Sequence, residues 1–338
     1  MSGAAIRLPE TPAALVLRHA VRTWLSDFLP PGSPAVAVAL SGGADSLALI
    51  AATVVEAGAA GLPVDALIVD HGLQAGSDRV AAGAAATAHT LGARRARVLT
   101  VRVGTEGGPE AAARTARYDA LEAARDGCPV LFGHTLDDQA ETVLLGLARG
   151  SGARSIQGMA PYTPPWGRPL LGVRRADTRR LCADLGLAPY DDPHNASAEF
   201  TRVRVRTEVL PLLEEVLGGG AAEALARTGA QLREDSAVLD ALAAELLDRA
   251  RDDAGALSVE ILATAPAALR RRAIRAWLLT GGANALTGKH LHAVDALIAD
   301  WHGQGGVAVG GGTADARLVA ARERGRLTLR RHDRSPAR

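Results

Sequence analysis

Two short stretches hold residues whose types and spacing could do chemistry. The first is "SGGADS", Ser41 to Ser46, where an apolar run stops at a glycine turn and a helix-like run begins. Such a loop offers backbone N–H groups and two hydroxyls at a helix N-terminus, a ready anion site. Gly42 and Gly43 let a phosphate come close to the main chain. Asp45 would repel that phosphate unless a Mg²⁺ lay between them, although an acid also suits the first turn of any helix. The second stretch is "GHTLDDQAETVLLGLARGSG". It crowds His134, Asp137, Asp138 and Glu141 together, with Asp137 and Glu141 one helical turn apart. Such a carboxylate cluster suits a cationic substrate together with a metal. Thr135 with Asp138 three residues on also fits a capping box, a structural use of the same acids.

Elements that could position these groups are legible on either side. Strand-like runs are Ala35–Leu40, Val64–Asp70, Arg97–Val103 and Pro129–Gly133. Helical periodicity fills the gaps at Asp45–Ala57, Asp78–Leu91 and Glu110–Arg125. The alternation predicts an α/β fold, a doubly wound parallel sheet covered on both faces. Ligands of such sheets bind at the carboxyl ends of the strands, where strand order reverses. Both chemical stretches follow a strand, so both fall at that edge. Beyond them, "RGSGARSIQGMAPYTPPWGRPLLGVRR" reads as loop, and "RADTRRLCADLGL" as a short helix. Gly218–Gly220 form a natural boundary, giving expected domains of 1–217 and 218–338. The second is smaller and mostly helical, with a terminal hairpin.

The bulk composition narrows the function. The chain has 338 residues with a formal net charge of +1, so no global basic field advertises nucleic acid. Lys289 is the only lysine, which excludes a lysine-bearing phosphate loop near residue 45. Cys128 and Cys182 do not form a CxxC metal pair. No apolar run approaches the ~20 residues of a membrane helix, and the N-terminus lacks the layout of a secretory signal. A cytoplasmic protein with no membrane association is expected. A C2 homodimer is the commonest assembly and the default expectation for oligomeric state.

The motifs also carry a resemblance. SGGxDS after a first strand resembles the pyrophosphate loop of the ATP pyrophosphatases, which adenylate a carbonyl oxygen. "VDHGL", "PEAAARTARYDALEAA" and above all "HTLDDQAET" followed by "RGSG" resemble the tRNA(Ile)-lysidine synthetase branch. "RPLLGVRR" and "TRVRVRTEVLPLL" continue the match. Two positions depart from the branch: Gln74 stands where Arg is common, and Val203 where Asn is usual.

The resemblance implies an adenine nucleotide alpha-hydrolase-like fold with one tRNA-binding accessory domain. It implies a ligase that uses ATP and Mg²⁺ to join free lysine to the wobble cytidine of a CAU-anticodon isoleucine tRNA. Ser41, Gly42, Gly43, Ala44, Asp45 and Ser46 would hold the pyrophosphate, with Asp45 as metal ligand. The main chain at Ile68, Val69 and Asp70 would hold adenine. Asp137 and Glu141 would bind and help deprotonate lysine, with His134 and Asp138 lining the site. Arg114, Arg117 and Tyr118 would meet triphosphate or tRNA. Arg202, Arg204 and Arg206 would meet tRNA phosphate, together if extended and spread over the surface if helical. The alternatives are a cytidine thiolase of the same superfamily, or a non-catalytic ATP- or tRNA-binding paralogue.

Overall fold

The computed structural model describes residues 6–72, 76–104, 108–150, 152–191, 200–312 and 316–333. Gln74 and the "DPHNASAE" segment lie outside these residues, as does the side chain of Glu110. Two compact units result, one of Met1–Ala148 with Ile156–Gly229, the other of Arg149–Ser155 with Ala230–Arg338.

The first unit opens with α1 (Pro12–Phe28), β1 (Val36–Ala39), α2 (Ala44–Ala59), β2 (Val64–Asp70), α3 (Ser77–Leu91) and β3 (Arg95–Thr100). It continues with α4 (Pro109–Ala124), β4 (Val130–Leu131), α5 (Leu136–Ala148), β5 (Tyr162–Thr163) and β6 (Trp166–Gly167). Helices α6 (Arg175–Asp184), α7 (Thr201–Arg204) and α8 (Leu210–Val216) follow, then α9 (Ala221–Ala250), whose residues from Ala230 onward belong to the second unit. The sheet order is β3-β2-β1-β4-β6-β5, parallel except for β5. Strand β1 is central, and the order reverses between it and β4.

The apolar run at β1 is continuous because both sheet faces are covered. Val36, Val38 and Leu40 pack with residues of α1, α2, α3 and α6. Ala35, Ala37 and Ala39 point the other way, into a cluster with Leu121 of α4, Phe132 and Trp166. Burying each of the larger side chains contributes about 1.5–3 kcal/mol. Strand β3 begins at Arg95 rather than Arg97 and ends at Thr100 rather than Val103. Parallel pairing with Asp65–Asp70 sets that register, and Asp65 anchors Arg94 and Arg95 at 2.6 Å each.

The second unit adds β7 (Leu257–Ser258), α10 (Val259–Ala263), α11 (Ala267–Thr280) and α12 (Gly288–Ala299). Strands β8 (Val307–Gly312), β9 (Ala316–Glu323) and β10 (Arg326–Asp333) end it. The expected hairpin is β9–β10, inside a four-stranded antiparallel sheet of order β7-β10-β9-β8. Its core joins Leu257, Leu262, Ile274, Val294, Leu318 and Leu327. Arg270 and Asp295 form a buried pair, so this arginine of the "ALRRRAIRAWL" run is structural. Among the described residues, no helix is long and apolar enough to cross a membrane.

Candidate functional site

The glycine loop leaves the end of β1. Gly42 has φ of +84°, a left-handed conformation that L side chains rarely adopt, and its carbonyl accepts from the Tyr190 N–H at 3.0 Å. The Ser46 hydroxyl ties the loop by accepting from the Ser41 N–H at 3.2 Å and donating to the Gly43 carbonyl at 3.0 Å. Helix α2 starts at Gly43 with no side-chain cap. Among the described residues, its first-turn donors therefore have no side-chain acceptor, which is the condition for binding an anion there.

The end of β4 lies directly against this helix start. A Cβ added at Gly133 would sit 2.9 Å from the Asp45 carbonyl carbon and oxygen and 3.0 Å from the Ser46 nitrogen. Glycine at 133 thus lets the two chemical stretches touch through their main chains. Helix α5 then begins with the capping box expected from the sequence. The Thr135 N–H and hydroxyl both donate to Asp138 Oδ2 at 2.8 Å. Capping therefore uses one oxygen of Asp138 and leaves the other for the site.

The acids meet a matching set of arginines. Asp137 accepts from the Arg175 main-chain N–H at 2.7 Å and from Arg174 Nη2 at 3.1 Å. Asp138 Oδ1 accepts from Arg175 Nη2 at 2.8 Å and Arg206 Nη2 at 3.3 Å. Glu141, whose side chain is 0 % exposed, accepts from Arg206 Nε at 2.7 Å and Nη2 at 3.1 Å. Arg175 Nη1 and Arg202 Nε approach Glu141 at 3.4 and 3.8 Å. Asp45 accepts from the Thr178 hydroxyl and, at 3.4 Å, from Arg175 Nε. Four carboxylates thus face Arg174, Arg175, Arg202 and Arg206. A cavity of about 120 Å³ lies among Asp137, Glu141, Arg174, Arg175 and Arg206.

Electrostatics follow from these contacts. Burial raises the Asp45 carboxyl pKa, an effect that Thr178 and Arg175 only partly offset. Burial would also raise Asp138, but Arg175 and the Thr135 hydrogen bonds outweigh it and hold the group low. His134 stacks on Phe132 with centroids 5.6 Å apart. Burial pushes its pKa down to about 4, so the imidazole is neutral at pH 7. Among the described residues, its Nδ1 has no hydrogen-bond partner, and neither has that of His71, which follows Asp70 at the end of β2. Burial lowers His71 as well. Ile68 is buried, and Asp70 Oδ1 accepts from the Gly72 N–H at 3.0 Å, which shapes the turn where adenine was expected.

The three arginines of "TRVRVR" are helical. They lie on α7 and on a π-helical segment, Val205–Val209, a distortion frequent at functional sites. The valines at 203 and 205 are buried, which turned a helix face into an apparent strand alternation. Arg204 faces outward to Glu208 at 2.9 Å, Arg202 reaches Thr142 at 3.3 Å, and Arg206 turns into the acid cluster. Arg114 is exposed, 5.1 Å over the Tyr118 ring. Tyr118 itself packs on Phe132 and Trp166. Arg117 lies 5.2 Å over the Phe132 ring.

Arg174 and Arg175 lie within the motif "RPLLGVRR" without a role that the motif itself reveals, and no motif marks Thr178. One signal was available: two arginines at a helix start stand where the dipole disfavours cations. That placement implies acids from elsewhere in the chain.

Comparison with known proteins agrees with the geometry. Residues 17–213 match the model of the PP-loop domain, and residues 257–328 match the TilS substrate binding domain. A tRNA(Ile)-lysidine synthase of Nocardia farcinica is 76 % identical over 96 % of this chain and 100 % of its own length. One from Rhodococcus erythropolis is 66 % identical over 97 % of this chain and 98 % of its own. Among solved structures, the U34-tRNA thiolase NcsA of Methanococcus maripaludis superposes with a TM-score of 0.55 at 19 % identity. It covers 66 % of this chain and 80 % of its own, a likeness of fold alone. The glycine loop, the acid cluster beside it and identity along nearly the whole length converge: this chain belongs to the tRNA(Ile)-lysidine synthase family.

Proposed function

We propose that the chain joins free lysine to the wobble cytidine of a CAU-anticodon isoleucine tRNA in two steps at one site. In the first, the cytidine ring carbonyl oxygen attacks the α-phosphorus of ATP and pyrophosphate leaves. In the second, the lysine amine attacks the activated ring carbon and AMP leaves, carrying the oxygen with it. Activation is needed because a carbonyl oxygen is a poor leaving group and AMP a good one. The carrying observation is the reversal of strand order between β1 and β4, where the uncapped start of α2 lies against the turn that leads into the acids of α5.

Roles follow from charge. The loop Ser41–Ser46 would bind the pyrophosphate through its N–H groups and hydroxyls. Among the described residues, no three His, Cys, Asp or Glu side chains converge as a protein-only metal site. A Mg²⁺ would therefore be held by the Asp45 carboxylate and substrate phosphate oxygens, the usual pattern for this ion. It would supply charge neutralisation at the leaving pyrophosphate. Asp137 and Glu141 line the cavity and would receive the lysine ammonium. A carboxylate there can also take a proton from that ammonium, freeing the amine to attack. Neutral His134 would offer a hydrogen bond without repelling the cation. A tRNA substrate implies a cytoplasmic location.

The test is AMP release with purified CAU-anticodon isoleucine tRNA. It is expected only when ATP, tRNA and lysine are all present. Asp137→Asn should raise the lysine KM by about 10–100-fold, the loss of one charge-assisted contact. ATP–pyrophosphate exchange should persist in that variant. Normal lysidine formation by Asp137→Asn would remove the lysine assignment, and unchanged adenylation by Ser41→Ala would remove the loop assignment.

A further inference from the structure

Arg175 is the first residue of α6, and its guanidinium spreads over three carboxylates with a different nitrogen closest to each. Nη2 donates to Asp138 Oδ1 at 2.8 Å, Nε reaches Asp45 Oδ2 at 3.4 Å, and Nη1 reaches Glu141 Oε1 at 3.4 Å. The first is a full charge-assisted bond. The other two are equal to each other and longer than such bonds usually run. One positive charge thus serves an acid of the glycine loop and an acid of α5, and satisfies neither. Among the described residues, Arg174 reaches Asp137, and Arg206 reaches Asp138 and Glu141, but neither reaches Asp45.

The surroundings hold everything except the guanidinium. Asp137 accepts from the Arg175 main-chain N–H at 2.7 Å, which pins the start of α6. The Thr178 hydroxyl, one turn on, engages Asp45 Oδ1, so Asp45 offers its other oxygen to Arg175. The Thr135 N–H and hydroxyl fix Asp138 through Oδ2 and leave Oδ1 as the anchor of Arg175. The Arg175 and Asp138 side chains are only 16 % and 11 % exposed, so water and salt screen these charges little.

We propose that Arg175 pivots on Asp138 between Asp45 and Glu141, so that a cation at either outer acid sends the guanidinium to the other and the two cations enter in order. The inference rests on the roles given above to Asp45 and Glu141. With metal and ATP at the glycine loop, Arg175 gives up Asp45 and closes on Glu141, against the entry of a lysine ammonium. Arg175 can return to Asp45 only when that carboxylate is free again, after pyrophosphate has left. Its return loosens Glu141, which favours lysine after adenylation rather than before it. Arg175 is therefore a positioning residue, acting through the carboxylates it holds and releases. By linkage, lysine must weaken the metal by the same factor as the metal weakens lysine.

The experiment uses the full chain loaded with a non-hydrolysable ATP analogue, once with Mg²⁺ and once with EDTA. Calorimetry gives the affinity for L-lysine in each, and their ratio measures the coupling. Wild type should bind lysine about fivefold or more tightly without the metal. Direct repulsion between metal and ammonium is common to all variants and cancels when ratios are compared. Arg175→Gln should cut the ratio by about threefold or more, whereas Arg206→Gln, which removes a charge that does not touch Asp45, should keep it. A smaller change in Arg175→Gln, or an equal fall in Arg206→Gln, overturns the pivot. Should Arg175→Gln not fold by circular dichroism, Arg175→Lys keeps the charge but loses the fork, and is held to the same threshold. Mn²⁺ titration of the same complexes, read by electron paramagnetic resonance without lysine, isolates the Asp45 end. Arg175→Gln should bind Mn²⁺ about threefold or more tightly than Arg206→Gln does, and equal affinities overturn the pivot. A wild-type chain that binds no lysine in either condition defeats the lysine assignment and the ordering with it, while the Mn²⁺ titration still decides whether Arg175 competes at Asp45. Failure of the pivot and failure of the lysidine reading are thus distinguishable.

Discussion

Replacing Gly133 by alanine is the smallest change that should separate the two halves of the site. The new Cβ would stand 2.9 Å from the Asp45 carbonyl carbon and oxygen, whereas ordinary contact begins at 3.4 Å. The obstructing atoms are main chain of the first turn of α2, so no side chain can rotate away. The end of β4 and the glycine loop must part by the difference, about 0.5 Å. Overpacking of this kind costs about 1–3 kcal/mol. For a unit the size of the first, each 1 kcal/mol lowers its Tm by about 2–4 °C. Misplacement by 1 Å can cost about 100-fold in rate, so half that distance predicts roughly a 10-fold fall in AMP release. The control is Gly83→Ala in α3, where nothing lies within 4 Å of an added Cβ. That change should be neutral or stabilising by up to about 1 kcal/mol, through helix propensity. Calorimetry gives Tm, and tRNA-dependent AMP release gives the rate. A Gly133→Ala chain with wild-type Tm and wild-type AMP release would refute the claim that main-chain contact sets the site geometry.

Three further outcomes follow from the same contacts. Glu141→Gln removes the carboxylate charge and one of the two acceptors that Arg206 uses, while Asp138 still holds Arg175 and Arg206. It should cost about 2 kcal/mol, read as a lowered urea midpoint, and no change in that midpoint would contradict the pairing. Glu56 is buried against Arg18 and Arg22 at 2.5 and 2.7 Å. Burial alone would raise its pKa, but the two arginines prevail and the net shift is down. A lowered carboxylate contributes stability that is full above its unfolded pKa of about 4.3 and is lost as pH falls through the folded value. Glu56→Gln should therefore remove stability at pH 7 and flatten the decline below pH ~4.3, checked by urea melts across pH. Cys182 is buried beneath the glycine loop, its Sγ 3.4 Å from the Ala44 carbonyl, and burial pushes the thiol pKa up to about 11. It should resist iodoacetamide in the native chain at pH 8 and react only after unfolding, as mass spectrometry would reveal.

Local chemistry explains why the sheet was legible in advance. β1 needs two covered faces, and its unbroken apolar run says so without reference to any partner. The glycine loop was legible because Gly42 carries a conformation that only glycine adopts freely. The capping box was legible because Thr135 and Asp138 are three residues apart. Each of these signals lies inside one element. Their exact limits were less so: β3 starts where Asp65 holds Arg94 and Arg95, a contact made across the sheet.

Charge balance at the site is the opposite case, because it is a sum over distant segments. The acids of α5 read as an open cation site, yet Arg175 comes from α6 and Arg206 from the π-helical segment. Spacing within "HTLDDQAET" carries no information about either. The consequence reaches function. Under the assignment proposed above, a lysine ammonium would not meet bare carboxylates; it would compete with guanidiniums already bonded to them. Affinity for lysine is then a difference between two charge-assisted pairings, each worth about 1.5–3 kcal/mol per bond. Such a difference is small unless the displaced arginine gains another anion.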